Sequence, residues 1–455
     1  MKVGYLTFGR DDFSYGLALV LSKIEERAEL YRINPKSARY MDVLMFSLFW
    51  WEHLYLLADW LRRAGISKKE NKKERPRIII GGYQTFNPVP LLAYADEVLV
   101  GDGEETLPGV LFKKEVPGSL YRSDDQKEVE YETVEHLSGF SHETNNITRM
   151  EIARGCRYRC KFCLVSHIKR YREVPFEELR PLIRRCKTKR ISLFAPEVTV
   201  HSEAEDISIF CDEMKLVRNE QDTRIENVHL REQRVLPQVG IEGITERLRF
   251  SVRKKISDEM ILEQVSRMIK SGKRGLRAYY ILGLPGETDE DWKEFREFLV
   301  RMGNLPGAEK FSFFPYPNAF NANPHTPFED EPIAWDVNLR EKWKDLFCLR
   351  GKSRESVPWK MRIMAFTRMH GPESRILGHI ALRAGSEFFE IERELTRKKI
   401  IKVHGTRILC PGGIRKLVRV LESYGGIDRY LGVPTERPWK KVRIPTQNQE
   451  KKEEK

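Results

Sequence analysis

The chain lacks any long uninterrupted apolar run. Its most apolar stretch, residues 43–58, is broken by Glu52 and His53 and falls short of the roughly 20 apolar residues a bilayer span requires, so no membrane partner is expected. No apolar leader with a cleavage site precedes the first strand-like stretch, residues 3–8. Cysteine is scarce and odd in number, seven among 455 residues, which excludes a fully paired disulfide framework. These absences together predict a cytoplasmic location under reducing conditions. No internal repeat is visible. Hydrophobic residues make up 40%, enough for a substantial core, which excludes disordered, collagen-like and mini-protein classes. Lys and Arg number 80 against 67 Asp and Glu, a net charge of +13. That balance permits a polyanionic partner without requiring one, because the charge is spread over a long chain.

Residues 1–113 alternate strand and helix signals. Strands are predicted at 3–8, 42–49, 77–80 and 97–100, with helices at 15–24 and 52–64. Apolar strands bounded by glycine and separated by helices imply a parallel sheet covered on both faces. Ligands of such sheets sit at the carboxyl ends of the strands. Here those ends carry Gly9, Ser47, Gly81, Gly82 and Gly101, and glycine lets a flat ligand lie close to backbone. Residues 118–121 and 129–132 flank a polar segment and predict a small hairpin.

The most informative stretch is residues 151–163, where Cys156, Cys160 and Cys163 stand in the spacing C-x3-C-x2-C with Phe162 before the last cysteine. Three thiolates in one short loop can hold three irons of a [4Fe–4S] cluster and leave the fourth open to a small ligand. Zinc is the competing reading, with His167 as a fourth ligand, although the usual paired spacing is missing. Cys186, Cys211, Cys348 and Cys410 are scattered and read as small buried residues.

This cysteine motif resembles that of the radical S-adenosylmethionine (SAM) superfamily, and the likeness continues downstream. Predicted strands at 190–194, 238–243, 277–282 and 311–315 end in Glu197, in Glu242 and in the run Gly283-Leu284-Pro285-Gly286-Glu287-Thr288. The resemblance implies a partial (β/α) TIM barrel whose strand ends hold SAM, with Glu197, Glu242, Gly283 and Pro285 as contacts. Residues 323–328 resemble a segment at the barrel's end. Each carboxylate has a plain alternative as a salt-bridged or solvated group, and residues 283–288 could be only a turn into the next helix. The N-terminal sheet resembles a cobalamin-binding Rossmann-like domain through Asp11, Gly16, the Ser47-Leu48-Phe49 run and Gly81-Gly82. Phe13 stands where that pattern has its histidine, and Phe13 has no lone pair for cobalt. The other reading is an ordinary flavodoxin-like sheet that binds nothing.

The resemblance covers roughly residues 1–330 and predicts an α/β chain with a cobalamin-binding-like Rossmann domain over 1–130 and a radical SAM core over 131–330; beyond it, helical patterns predict a mainly helical region over 331–433, and the charged composition of the end predicts a disordered tail over 434–455. It implies a [4Fe–4S] cluster, SAM and cobalamin as cofactors, and a ferredoxin or flavodoxin as electron donor. The expected activity is C-methylation of an unactivated carbon. The alternatives are a radical SAM enzyme without cobalamin, such as a methylthiotransferase or a rearrangement enzyme, and a non-catalytic iron–sulfur protein that binds RNA or a partner. A protein, peptide or small-molecule acceptor is expected, with RNA the other candidate. Lys398, Lys399, Lys402, Arg407, Arg415, Lys416 and Arg419 make the C-terminal region basic, which reads as a solvated face or a phosphate contact.

Overall fold

The computed structural model describes residues 1–8, 15–66, 75–112, 119–121, 128–218, 223–228, 236–333, 338–347, 361–363, 365 and 372–445. The chain divides into two compact units, one formed by residues 1–135, 322–331 and 372–455 and the other by 136–321 and 332–371.

The first unit opens with β1 (Lys2–Thr7), α1 (Tyr15–Ser22), β2 (Glu29–Arg32), β3 (Val43–Ser47), α2 (Glu52–Arg63), β4 (Arg77–Gly81), β5 (Glu97–Leu99), α3 (Gly103–Phe112), β6 (Ser119–Tyr121) and β7 (Val129–Glu130). The sheet order is β2-β1-β3-β4-β5-β6, with the first five strands parallel and β6 antiparallel to β5. That order is one of the two common doubly wound arrangements. Alternation of side chains sorts the strand residues between two faces. Val3, Val43, Met45, Ile79 and Leu99 cluster with Leu17 and Leu21 of α1, Ile24 just after it, and Leu107 and Val110 of α3. On the other face Phe46 meets Trp60 of α2 edge-on at 4.9 Å. The predicted hairpin is not formed. Leu120 pairs with Val98, and β7 finds a parallel partner from the C-terminal end of the chain.

The second unit contains β8 (Ser141–Thr144), β9 (Ile147–Glu151), β10 (Ala153–Arg154), α4 (Leu164–Ile168), β11 (Arg172–Glu173), α5 (Phe176–Arg184), β12 (Arg190–Phe194), α6 (Ala204–Glu213), β13 (Val217–Arg218), β14 (Gln238–Glu242), α7 (Glu246–Ser251), α8 (Asp258–Lys270), β15 (Gly275–Leu282), α9 (Asp289–Gly303), β16 (Ser312–Ala319), α10 (Leu339–Leu346) and β17 (Arg362–Ile363). Its strands form the orders β13-β12-β9-β8 and β14-β15-β16-β17. An isolated parallel bridge joins Thr223, outside both rows, to Val239 of β14. Except for β8, these strands run parallel. One face of β15 is fully buried, through Leu276, Ala278, Tyr280 and Leu282, while Arg277, Tyr279 and Ile281 on the other face are half-buried.

The chain then returns to the first unit as α11 (Pro372–Arg383), α12 (Phe388–Arg397), β18 (Lys402–His404), β19 (Arg407–Leu409), α13 (Gly413–Leu421), α14 (Asp428–Leu431) and β20 (Val442–Arg443). This corrects the expected separate domain over 331–433. Tyr55 of α2 donates to the Leu377 carbonyl at 2.9 Å, and Asn87 donates to the carbonyls of Leu382 and Ala384. The tail beyond 433 is likewise built in as far as residue 445. Trp439 is fully buried, its indole donates to Glu329 at 2.8 Å, and β20 pairs with β7. The expectation for 446–455 lies outside the described residues. No helix among the described residues is long and apolar enough to cross a membrane.

Candidate functional site

The cysteine loop follows β10. Gly155 enters it at φ +78°, where a Cβ would lie 2.3 Å from the Arg170 carbonyl oxygen, so only glycine lets the chain turn there. The loop is pinned by Lys161 N–H on the Val252 carbonyl and Cys163 N–H on the Cys160 carbonyl, both 3.0 Å. Ser166 Oγ donates to the Cys163 carbonyl at 2.9 Å. Cys160 is buried, and Cys156, Cys163 and Phe162 are half-buried. Burial pushes the Cys156 thiol up to about 12, with Cys163, Cys160 and Glu197 adding to the shift. Burial pushes Cys160 up to about 11, opposed by Lys254 and Arg224. Three thiols grouped in one buried loop suit a cationic group that would hold them as thiolates. The donor set fits a [4Fe–4S] cluster, which takes one thiolate per iron. It fits zinc less well, because His167 Nε2 lies 3.1 Å from the Cys160 carbonyl oxygen. Among the described residues no three His, Cys, Asp or Glu side chains converge on a single ion.

Glu197 and Glu242, from the ends of β12 and β14, both come within electrostatic reach of this loop. Glu197 is 4% exposed and accepts from Thr199 Oγ1 at 2.5 Å and Thr223 Oγ1 at 3.0 Å. Burial raises its carboxyl above the usual range, while these hydroxyls and the Thr199 and Arg224 amides hold it down. Glu242 adopts φ +73° and pairs with buried Lys254 at 3.0 Å. The ladder register shifts between Gly240 and Glu242. A Cβ on Gly240 would strike Glu242 Oε1 at 2.2 Å. Burial alone would lower the Lys254 ammonium, and the Glu242 carboxylate lifts it above its usual value. Glu242 is thus ion-paired within the chain and Glu197 is held by hydroxyls and amides, and both remain at the strand ends beside the cysteines.

Gly283 and Pro285 follow β15 in a turn with Gly283 at φ +76° and Gly286 at φ +79°. Glu287 closes it, accepting from Gly283 N–H at 2.8 Å and Trp292 Nε1 at 3.1 Å. Burial pushes its carboxyl up to about 7. Thr288 and Asp291 form a capping box at the start of α9. The side chains of Glu287 and Thr288 are therefore spent on the turn. Residues 323–328 are placed differently from the expectation. Ala322–Glu331 belongs to the first unit, where His325 Nε2 lies 3.0 Å from the Phe86 carbonyl oxygen and its N–H donates to Glu329.

In the first unit, Ser47 and Gly81 end β3 and β4. Gly82 sits at φ +99°, and its Cβ would lie 2.6 Å from the Leu48 carbonyl oxygen. Close approach of the chain to itself accounts for this glycine, rather than a flat ligand. Gly16 is exposed on the first turn of α1, with nothing within 4 Å of a built Cβ. Asp11 and Phe13 lie outside the described residues. Phe13 can supply no electron pair to cobalt, so no protein ligand for cobalamin is identified there.

Three residues escaped the sequence reading. Arg224, 7% exposed, stacks over Tyr158 of the cysteine loop at 4.1 Å and bonds Glu226 through Nε. Arg249, fully buried, ties the Gly243 carbonyl to the Ile256 carbonyl and to Asp258. Lys254 is the partner of Glu242. Each is one basic residue among 80, and no local pattern marks it. Phe49, the last residue of the Ser47-Leu48-Phe49 run, is exposed with Tyr83 stacked on it at 5.4 Å, and the exposed ring of Trp50 beside it was not singled out.

Two family models match consecutive stretches of the chain: "Radical SAM proteins, N-terminal" over residues 23–138 and "Radical SAM superfamily" over residues 150–299. An uncharacterized protein of Methanocaldococcus jannaschii is 27% identical over 206 residues, 43% of this chain and 45% of that protein. The ribosomal protein uS12 methylthiotransferase RimO of Chlamydia abortus is 27% identical over 271 residues, 53% of this chain and 56% of that protein. The chain thus spans about half the length of the curated relatives it matches. The solved structure of the cobalamin-dependent S-adenosylmethionine radical enzyme OxsB with aqua-cobalamin and S-adenosylmethionine bound aligns at TM-score 0.47 and 15% identity, covering 89% of this chain and 63% of that one. Two radical SAM models matched in chain order, the second spanning the three-cysteine loop and the strand-end carboxylates beside it, make this chain a member of the radical SAM superfamily.

Proposed function

We propose that the chain is a radical SAM enzyme that modifies an unactivated carbon of a protein or peptide, by methyl transfer that uses cobalamin at the first unit's sheet. The observation that carries the radical chemistry is the meeting of the Cys156–Cys163 loop with Glu197 and Glu242 from the ends of β12 and β14, and with Lys254 paired to Glu242. When bound to the three cysteines, a [4Fe–4S] cluster with SAM supplies one-electron cleavage of SAM and hydrogen abstraction from carbon. The chain's own residues hold the site. Gly155 and the Val252 carbonyl fix the loop, Arg224 braces it through Tyr158, and the buried surroundings exclude water.

Supporting the cobalamin reading are the doubly wound strand order, whose ligands lie at strand carboxyl ends, and the exposed rings of Phe49 and Trp50 after β3. Methylthio transfer is the second reading, favoured by the RimO relatives. A protein or peptide acceptor also agrees with that relative's printed activity. The seven basic residues of the C-terminal region are all exposed, which keeps an RNA acceptor as the contrasting outcome.

The test is anaerobic reconstitution of the full chain with iron and sulfide, in the presence of cobalamin, followed by metal analysis. Incubation with a reductant, methyl-deuterated SAM and total cell protein or total cell RNA then follows. The reading expects iron, sulfide and cobalt in the protein, 5′-deoxyadenosine as product and a methyl increment on protein. A methylthio increment without cobalt selects the second reading, and label in RNA alone overturns the acceptor.

A further inference from the structure

Residues 395–421 carry eight Lys or Arg and no Asp or Glu, in a chain whose two signs are otherwise close to balance at 80 to 67. The fold gathers this run into one place. α12 ends on Arg397, with Lys398 and Lys399 directly after it. The chain then leaves as the β18–β19 hairpin and comes back to its own starting point. Gly412 N–H bonds the Ile400 carbonyl at 3.1 Å, and a Cβ on Gly412 would lie 2.7 Å from Ile400 Cα. α13 starts at the next residue, so its first turn, with Arg415 and Lys416, begins beside the end of α12. On the hairpin, Lys402 pairs with Leu409 and His404 with Arg407. Side-chain alternation puts these four on one face, and all four are exposed.

All eight basic side chains of the run are exposed. Among the described residues only Lys398 has a carboxylate partner, Glu394 at 2.5 Å. From neighbouring elements, Glu373 of α11 comes within electrostatic reach of Cys410, and Asp59 of α2 is already paired with Arg62 and Arg63. A strong excess of one sign remains. Like charges one turn apart on a helix repel, as Arg415 and Arg419 do, and the packing of α13 is carried by Leu417, Val420 and Leu421. Folding therefore gains little from this density of cations, whereas a polyanion would gain much. We infer that the end of α12, the outer face of the hairpin and the first two turns of α13 together dock RNA through its phosphate backbone. Leu409 is the one large apolar side chain exposed in the run, too little to enter a lipid layer. An acidic protein holds its carboxylates at fixed positions, whereas an RNA strand carries one charge per nucleotide on a flexible backbone and can track cations spread over three elements. The inference concerns a docking partner and goes beyond the radical chemistry. Binding is read on the full chain with and without iron, so its failure is separable from failure of the cluster reading.

Fluorescence anisotropy of a labelled mixed-sequence RNA of about 20 nucleotides, titrated with the full chain between about 50 and 200 mM salt, tests it. The logarithm of affinity should fall with the logarithm of salt at a slope between about −3 and −5. Lys402→Gln/Arg407→Gln/Arg415→Gln/Lys416→Gln should weaken binding by about tenfold or more at the lower salt and make the slope shallower by about 2. A variant with the same charge change on exposed lysines of the second unit, Lys187→Gln/Lys189→Gln/Lys270→Gln/Lys310→Gln, should stay within about twofold of the parent. RNA binding that is absent or indifferent to salt overturns the inference, and so does a hairpin and α13 variant that binds like the parent. Equal competition by polyglutamate or by phosphatidylglycerol vesicles, at matched charge, also overturns it and marks an acidic protein or a lipid surface instead; that comparison needs no variant to fold.

Discussion

Replacing Lys254 by Met isolates the electrostatics beneath the cysteine loop. The Lys254 side chain is 8% exposed and that of Glu242 is 16%, with their charged atoms 3.0 Å apart. Met keeps the length and apolar stem of lysine but leaves the Glu242 carboxylate buried without its partner. Removing one member of a buried pair costs about 3–5 kcal/mol, whereas replacing both is far milder. At about 2–4 °C per kcal/mol for a unit of this size, the single variant should unfold about 6–20 °C lower. The Lys254→Met/Glu242→Gln double variant should recover most of that loss, since the left-handed backbone at position 242 (φ +73°) is common to parent and variants. The assay is thermal unfolding of the iron-free, thiol-protected chain, so that metal binding does not add to the folded state's stability. If Lys254→Met unfolds within about 1 kcal/mol of the parent, or if the double variant is no better than the single, the pairing argument is wrong.

Cys156→Ala, Cys160→Ala and Cys163→Ala should each abolish iron–sulfur absorption and SAM cleavage, since each removes a thiolate ligand; Cys186→Ser and Cys410→Ser should retain both, and full iron in Cys160→Ala would refute the assignment. Glu287, raised from 4.5 to about 7, favours its protonated form in the folded chain. Its contribution to stability should therefore be fully present below about pH 4.5 and fall by at most about 3 kcal/mol as pH rises through 7. Glu287→Gln should flatten that fall, and a parent midpoint that climbs over this window relative to the variant would contradict the sign. Trp439→Ala should cost about 3–5 kcal/mol by denaturant unfolding, because the indole is fully buried and bonded to Glu329; a cost within 0.5 kcal/mol, which surface substitutions show, would return residues 434–445 to the status of a tail.

The local code was readable where chemistry and periodicity are local. The C-x3-C-x2-C spacing marks the cysteine loop because three thiols must sit within a few residues to share one cluster. Apolar runs, several ending in glycine, marked β1, β3, β4 and β5, since parallel strands buried on both faces show continuous apolar sequence, and the strand runs after the cysteine motif marked β12, β14, β15 and β16. Turn chemistry at 283–288 marked the entry to α9. Partnership between distant residues was not readable. Leu120 and Val129 look like two arms of one hairpin, yet they pair with Val98 and Val442, because strand pairing depends on which edge lies open in the folded unit. Trp439 sits in a stretch whose composition suggests a tail, and its burial depends on Glu329 arriving from 110 residues away. Gly82 and Gly101 looked like room for a ligand; the approaching backbones of Leu48 and Glu132 occupy that room. Glu197 and Glu242 were identifiable as strand-end carboxylates, but only tertiary structure supplied Thr199, Thr223 and Lys254 as their partners. Spacing along the chain fixes what a segment can do by itself, and burial beside residues far away in sequence decides what it is held against.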